Sequence, residues 1–311
     1  MRRYEVALRA GLTLAEGPFW DIASGALWVI DVEAAAGGGA VYRLDPRTGS
    51  LTVRPFDGPV GTAVPAVGDE MVIGLADGLY AAGWAEGDER LLAGIEHAHD
   101  PTVRVNDAKC DPRGRLFAGT IPIDFRAGIS TLYRLGTAGA VPVVRDLAMA
   151  NGLGWSPAGD TMYLADSRVR RVLAFDYDVE TGSVSERRTW VQMPEKAGFP
   201  DGLAVDAEGA VWVAAYLGGA VHRYDADGTL VDVVELPVAK VTSVCFGGDG
   251  LTDLYVTTSR AGLTEEQLRE QPSAGDVLVV PGAGRGLPGV RFDPATLQGD
   301  HARPPLPTGG L

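Results

Sequence analysis

The sequence predicts an all-β fold, a six-bladed β-propeller of four-stranded antiparallel blades closed by the N-terminal strand. Three observations carry that reading. Helical periodicity is scarce along the 311 residues, and 42 glycines punctuate short apolar runs with Asp-Gly, Pro-x-Gly and Asp-x-x-Gly turns, as hairpins require. Six segments come into register as internal repeats. The strand aromatics Trp28, Phe117, Tyr163, Trp212 and Tyr255 lie 89, 46, 49 and 43 residues apart, with 89 close to two periods. Several strands and no helix in each period suit propeller blades better than sandwich strands, which recur about every 8 to 12 residues. A pair of β-sandwiches or a β-solenoid is the alternative that this period disfavours.

Taken in order, "RRYEVALRA" precedes the first full repeat and is expected to supply the outer strand of the last blade. The repeats follow as "EGPFWDIASGALWVID" from Glu16, a weak copy "GTAVPAVGDEMVIGLADGLY" from Gly61, and "NDAKCDPRGRLFAGT" from Asn106. Three more are "NGLGWSPAGDTMYLAD" from Asn151, "DGLAVDAEGAVWVAAY" from Asp201 and "SVCFGGDGLTDLYVTT" from Ser243. Each reads as an apolar strand, an Asp/Pro/Gly turn and a second strand. Third strands follow in "GAVYRLDPRTG", "STLYRLGTAG", "RVLAFDYDVETG" and "GAVHRYDADG". The one convincing helix is "LTEEQLREQ", residues 263–271, with Thr264 as its cap. Residues 1–295 are expected to form the single propeller domain, and 296–311, ending "ARPPLPTGGL", a flexible tail.

Composition narrows the function classes. A net charge of −14 and a pI near 4.7 argue against nucleic acid or an anionic membrane as partner, because both attract cationic surfaces. An acidic protein is suited instead to holding a cation. No stretch has the ~18 apolar residues that span a bilayer, and no signal-peptide core is present, so the expected setting is soluble and cytoplasmic. Cys110 and Cys245 lie in separate strand-like runs and read as free thiols rather than a disulfide or zinc site.

The residues in front of the repeats carry the chemistry. Glu16, Asn106, Asn151, Asp201 and Ser243 stand 12, 11, 12, 11 and 12 residues ahead of their strand aromatics. In a propeller, equivalent positions are related by rotation about the axis, so Glu16, Asn106, Asn151 and Asp201 converge on the central channel. Two carboxylates and two amides there would repel or stay underpaired without something cationic between them. Carboxylate and amide oxygens without Cys or His favour a hard divalent cation such as Ca2+, Mg2+ or Mn2+ over a structural zinc. Asn-Gly and Asp-Gly are also common turn pairs. Shared register, with the turns proper falling later at "SPAGD" and "DAEG", separates the two explanations.

The ordered set "AEGPFWD", "RVNDAKCDPRGRLFAGT", "NGLGWSPAGDTMYLADS", "AFDYDVETG", "PDGLAVDAEGAVWVAAYLGGAVHRYDADG" and "TSVCFGG" resembles the SMP-30/gluconolactonase/regucalcin-like family, over residues 14–281. The resemblance implies a six-bladed propeller with one divalent metal ion in its channel (Ca2+, Mn2+, Zn2+, Mg2+ or Fe2+) and hydrolysis of a sugar lactone. A monomer or weak homo-oligomer is the expected state, which no motif specifies. It further implies metal ligation by Glu16 of "EGP", Asn151 of "NGL" and Asp201 of "PDG", and substrate contact by Arg104 and Asn106 of "RVND". A substrate-side acid beyond "AGT" falls on Asp124, an aspartate where the family usually has glutamate, with Ile121, Pro122 and Ile123 also departing from its pattern.

Lactone opening needs an electrophile for the carbonyl oxygen and a base for water, and Asp201 is the candidate base. Competing chemistries have less support. A Ser-His-Asp triad needs a positioned histidine among His97, His99, His222 and His301. The histidine pair of "EHAHD" has strand-like i, i+2 spacing that could suggest zinc, but no third ligand is evident and it reads as an exposed turn or strand edge. "GAGRG", residues 282–286, lacks the Lys-Ser/Thr and helix of a phosphate loop and reads as a flexible late loop. Hydrolysis of organophosphates or activated esters, and a non-enzymatic calcium-binding propeller, remain as alternatives to the sugar lactonase.

Overall fold

The computed structural model describes residues 2–34, 37–96, 100–124, 126 and 128–298. The period of the repeats is the period of the blades. Ahead of the first blade runs β1 (Glu5–Leu8). Blade 1 holds β2 (Ala15–Asp21), β3 (Ala26–Asp31), β4 (Gly39–Asp45) and β5 (Ser50–Phe56). Blade 2 holds β6 (Thr62–Pro65), β7 (Met71–Gly74), β8 (Gly78–Ala82) and β9 (Arg90–Gly94), and blade 3 β10 (Val103–Cys110), β11 (Leu116–Pro122), β12 (Ser130–Gly136) and β13 (Gly139–Leu147). Blade 4 comprises β14 (Ala150–Trp155), β15 (Thr161–Asp166), β16 (Arg171–Asp178) and β17 (Ser183–Gln192). Blade 5 comprises β18 (Phe199–Val205), β19 (Val211–Tyr216), β20 (Ala220–Tyr224) and β21 (Leu230–Glu235). Blade 6 joins β22 (Val241–Gly247), β23 (Asp253–Thr258) and β24 (Val277–Val280) to β1, which pairs antiparallel with β24 as expected from its place ahead of the first repeat. Helix α1 (Glu265–Glu270) lies between β23 and β24, with the predicted cap: the Thr264 side chain accepts from Gln267 N–H in a capping box.

Blades pack through apolar side chains, and the repeating aromatics do much of the joining. Ring pairs bridge blades at Trp28–Trp84 (5.0 Å), Phe117–Trp155 (5.4 Å), Trp190–Tyr224 (5.9 Å), Trp212–Phe246 (5.7 Å) and Trp20–Tyr255 (5.4 Å). Such pairs contribute about 0.5–1.5 kcal/mol each beyond area burial. Between blades 2 and 3 the contact is aliphatic, with Val64, Val72 and Leu79 against Val103, Val105 and Ala108. That explains the 89-residue gap between aromatics, because the blade 2 strand β7, "MVIG", carries none.

The first strand of each blade lines the channel. In β2, β10, β14, β18 and β22 the pairing slips beside the ring position, between Glu16 and Phe19, Val105 and Ala108, Ala150 and Leu153, Pro200 and Leu203, and Val241 and Ser243. A bulge of this kind re-aims side chains at the end of a strand. Blade 2 runs through in regular register from Thr62–Gly74 to Pro65–Met71, and it offers no ring side chain.

One expectation is corrected. Residues 282–286 are not a free loop but the start of a strap across the face opposite the ring positions. Ala207 N–H bonds to the Arg285 carbonyl (2.7 Å), Gly286 N–H to Leu251 (2.8 Å), Phe292 N–H to Pro65 (2.9 Å) and Asp293 N–H to Gly114 (3.1 Å). Arg291 pairs with buried Asp21 at 2.6 Å. Glycine-rich sequence reads as mobile, yet Gly286 and Gly289 are small because Phe246, Phe19 and the Trp20 carbonyl lie where a Cβ would go. A short 3-10 turn, Pro294–Leu297, straddles the expected domain end at 295. The rest of the expected tail, from 299, lies outside the described residues, as do His97, His99 and His301.

Candidate functional site

Two aspartates set the lead-in to two of the ring positions. At the end of β3, the Asp31 carboxylate accepts the backbone N–H groups of Thr13 (3.0 Å) and Leu14 (2.8 Å), just ahead of Glu16. Asp166, at the end of β15, does the same for Ala148 (3.0 Å) and Met149 (2.8 Å), just ahead of Asn151. The repeated strand endings "WVID" and "YLAD" are the signal for this device, and sequence reasoning passed over it.

Arg104, Asn106, Asn151 and Ser167 form one hydrogen-bonded chain, and the Glu16 and Asp201 carboxylates stand outside it. Arg104 Nη1 donates to the Val105 carbonyl (3.0 Å) and to Asn106 Oδ1 (2.9 Å). Asn106 Nδ2 donates to Asn151 Oδ1 (2.9 Å) and the Ala150 carbonyl (3.3 Å), and Asn151 Nδ2 donates to Ser167 Oγ (3.0 Å). Glu16 accepts Gly17 N–H at 3.1 Å. Its carboxyl is pushed up to about 8, by burial first and then by the Asp107 carboxylate, against the opposing pull of Gly17 N–H and Arg104. Asp201 is 7% exposed and is raised well above the ordinary carboxylate range, by burial and then by Glu16 and Asp107. Its Oδ1 is buried with no hydrogen-bond partner.

An unpartnered buried carboxylate oxygen is costly unless something binds it. Two carboxylates that repel one another, with an amide oxygen beside them, suit a hard divalent cation. Among the described residues, no three His, Cys, Asp or Glu side chains gather as a ligand set by themselves. The candidate set of Glu16, Asp201 and Asn151 is two carboxylates completed by the Asn151 amide oxygen.

Asp107 is a member of this group that sequence reasoning missed. It sits in the β10 bulge beside Asn106, where blades 4 and 5 have Gly152 and Gly202. Burial raises its carboxyl and Lys109 counters, while Lys109 Nζ donates to the Leu203 carbonyl across the channel at 2.8 Å. Asp107, Lys109, Ser243, Thr62 and Gly17 line a cavity of about 20 Å³, room for a single water.

Blade 2 contributes by absence. A Cβ on Gly61 would lie 2.0 Å from the Val105 carbonyl oxygen and 3.1 Å from Arg104 Nη1, so this position is emptied to let β10 and the guanidinium close over it. Gly61→Ala is expected to cost about 1–3 kcal/mol of stability and to displace Arg104. Thermal melts and turnover measured together check it, and an unchanged KM and kcat would show that Arg104 has other room.

Asp124 does not join the group. Its exposed carboxylate is held by Arg126 at 2.6 Å, and Arg126 reaches Asp100 at 2.7 Å. The nearby ion pair, rather than the channel, is what holds it below the usual carboxylate range. Of the histidines, His222 is buried on β20 with Nδ1 3.2 Å from Tyr224 Oη. Both cysteines are free, and burial pushes the Cys245 thiol up to about 12.

With this geometry in view, comparison places the chain. The profile of the SMP-30/gluconolactonase/LRE-like region matches residues 14–260. The chain belongs to that family. It is 34% identical over 287 residues to regucalcin of Xenopus laevis, covering 90% of this chain and 94% of that one. It is 37% identical over 291 residues to the pentonolactonase XacC of Haloferax volcanii, again covering 90% and 94%. Among solved structures, a calcium-binding regucalcin of Agrobacterium tumefaciens superposes with a TM-score of 0.85 at 28% identity, over 93% of this chain and 98% of that one. In this SMP-30-like chain, no helix among the described residues is long and apolar enough to cross a membrane.

Proposed function

We propose that this protein is a divalent-metal-dependent hydrolase that opens a sugar lactone, an aldonolactone, to the aldonic acid. The observation that carries this reading is the unpartnered Oδ1 of buried Asp201, within electrostatic reach of Glu16, with Asn151 at the equivalent position of the neighbouring blade. Likeness to a pentonolactonase supports the reaction class, and likeness to a calcium-binding regucalcin supports the cation. Glu16, Asn151 and Asp201 would hold the ion, which when bound supplies Lewis acidity to a carbonyl oxygen and acidifies water.

The chain's own groups do the rest. Asp201 takes a proton from the attacking water as oxygen adds to the lactone carbonyl carbon. The same proton returns to the ring oxygen when the acyl C–O bond breaks, leaving a hydroxyl and a carboxylic acid that then ionises. Arg104 and Asn106 face the polar ring, Asn106 aiming the guanidinium through its Oδ1 and Arg104 sharing the charge that develops on the carbonyl oxygen. Asp124, at the rim with Arg126, meets only the far hydroxyls. Asp124→Ala is therefore expected to raise KM about fivefold or less with kcat unchanged, read from steady-state kinetics. A large fall in kcat would move Asp124 into the reacting centre.

The deciding experiment is a pH-stat assay of five- and six-membered aldonolactones on metal-stripped protein, with Ca2+, Mn2+, Zn2+, Mg2+ or Fe2+ restored one at a time. Turnover that appears with one of these ions and disappears with chelator supports the reading. No turnover of any lactone with every metal saturating would sink it.

A further inference from the structure

A carboxylate offers a cation an oxygen whichever way it is turned. A primary amide does not, because half a turn about Cβ–Cγ puts its NH2 where the oxygen was, and NH2 has no lone pair to give. Of the three candidate ligands only Asn151 has this liability. It is also the one whose two terminal atoms are both held by side chains, Oδ1 by Asn106 and Nδ2 by Ser167.

The direction of the whole chain is set at one end. A guanidinium only donates, so Asn106 must present Oδ1 to Arg104 Nη1 (2.9 Å). Asn106 then has only its NH2 for Asn151, and Asn151 must answer with Oδ1 (2.9 Å), which turns its own NH2 to Ser167 Oγ (3.0 Å). Reversing Asn151 alone would set two NH2 groups against each other. Ser167 is built to be the terminus. It is 5% exposed, its N–H bonds to the Met149 carbonyl (3.1 Å), and its carbonyl accepts Arg170 N–H (2.9 Å) in a turn closed by Arg170 at φ 54°.

We propose that Ser167 is a positioning residue for the metal-binding amide, ending the one-way chain Arg104→Asn106→Asn151→Ser167 that keeps the Asn151 oxygen available to the cation. This rests on the metal reading above. Without the hydroxyl, the buried NH2 of Asn151 has nothing to bond, and the amide turns away to find a partner.

The test is calorimetric titration of metal-stripped wild type and Ser167→Ala with Mn2+, together with the electron paramagnetic resonance spectrum of bound Mn2+ and melting curves in chelator. Loss of such an outer partner weakens metal binding about 10- to 100-fold, and that loss is expected here with an altered spectrum and an unchanged chelator melt. Ser167→Thr, which keeps the γ-oxygen, should bind Mn2+ within about threefold of wild type. Ser167→Ala affinity within twofold of wild type would overturn the proposal. So would a weakened affinity matched by an equally lowered chelator melt, since Ser167 would then be merely structural. A wild type that binds no Mn2+, Ca2+, Zn2+, Mg2+ or Fe2+ would instead remove the metal reading itself.

Discussion

Asp201→Asn is expected to lower lactone turnover by about 10²- to 10⁴-fold while making the metal-stripped protein more stable. The two effects share one cause. Asp201 is buried against Glu16 and Asp107, with one oxygen unpartnered, an arrangement that a fold alone would not favour. Replacing the carboxylate with an amide removes the group that takes the proton and leaves Glu16 with one repelling neighbour fewer. Relief of an uncompensated buried acid is worth about 1–3 kcal/mol, and each kcal/mol raises the melting temperature by roughly 2–4 °C in a chain of this size class. Steady-state kinetics with saturating metal and melting curves in chelator measure both. A variant that loses activity and stability together would mark Asp201 as a scaffold residue, and one that keeps its turnover would move the proton acceptor elsewhere.

Metal-stripped protein should lose stability as the pH rises from about 5 to about 8, and a divalent cation should reverse the trend. Unfolded, Glu16 ionises near its ordinary 4.5, whereas folded it keeps its proton to about 8. Between those values the folded state binds more protons than the unfolded, so stability falls with rising pH, by up to about 1.4 kcal/mol per pH unit for one such group. Asp201 shifts in the same direction. The melting temperature in chelator should therefore drop by roughly 5–15 °C across the window. Binding a cation discharges the protons and fills the site, so metal affinity should climb over the same range. Melts at pH 5, 6.5 and 8, with chelator and with Ca2+ or Mn2+, check the sign. A chelated protein no more pH-sensitive than the loaded one would mean that Glu16 and Asp201 find their counter-charge within the chain.

Glu16, Asn106, Asn151 and Asp201 were legible as equivalent positions because each opens a repeat and recurs at equal spacing; the family resemblance, not the spacing, singles out Glu16, Asn151 and Asp201 as the proposed ligands. Asp107 was not legible. It sits next to Asn106 in "NDAKC", and alternation in a regular strand would put neighbours on opposite faces. The bulge between Val105 and Ala108 breaks that alternation and brings Asp107 into electrostatic reach of Glu16 and Asp201. Ser167 was hidden differently, since its partner Asn151 lies 16 residues back across a strand pair. Asp124 shows another limit: the family resemblance points to it as a substrate contact, and nothing in the sequence signals that an arginine two residues on pairs with its carboxylate.

The sequence by itself determined the number of blades, the strand that closes the ring and the equivalent positions of Glu16, Asn106, Asn151 and Asp201, because all of these follow from period and residue type. Only the tertiary structure decided which neighbours share the channel, which way the Asn151 amide faces and why blade 2 carries Gly61. Those outcomes depend on bulges, on donors that come from other blades and on the space a side chain would have occupied. Such quantities exist only once distant segments are packed together.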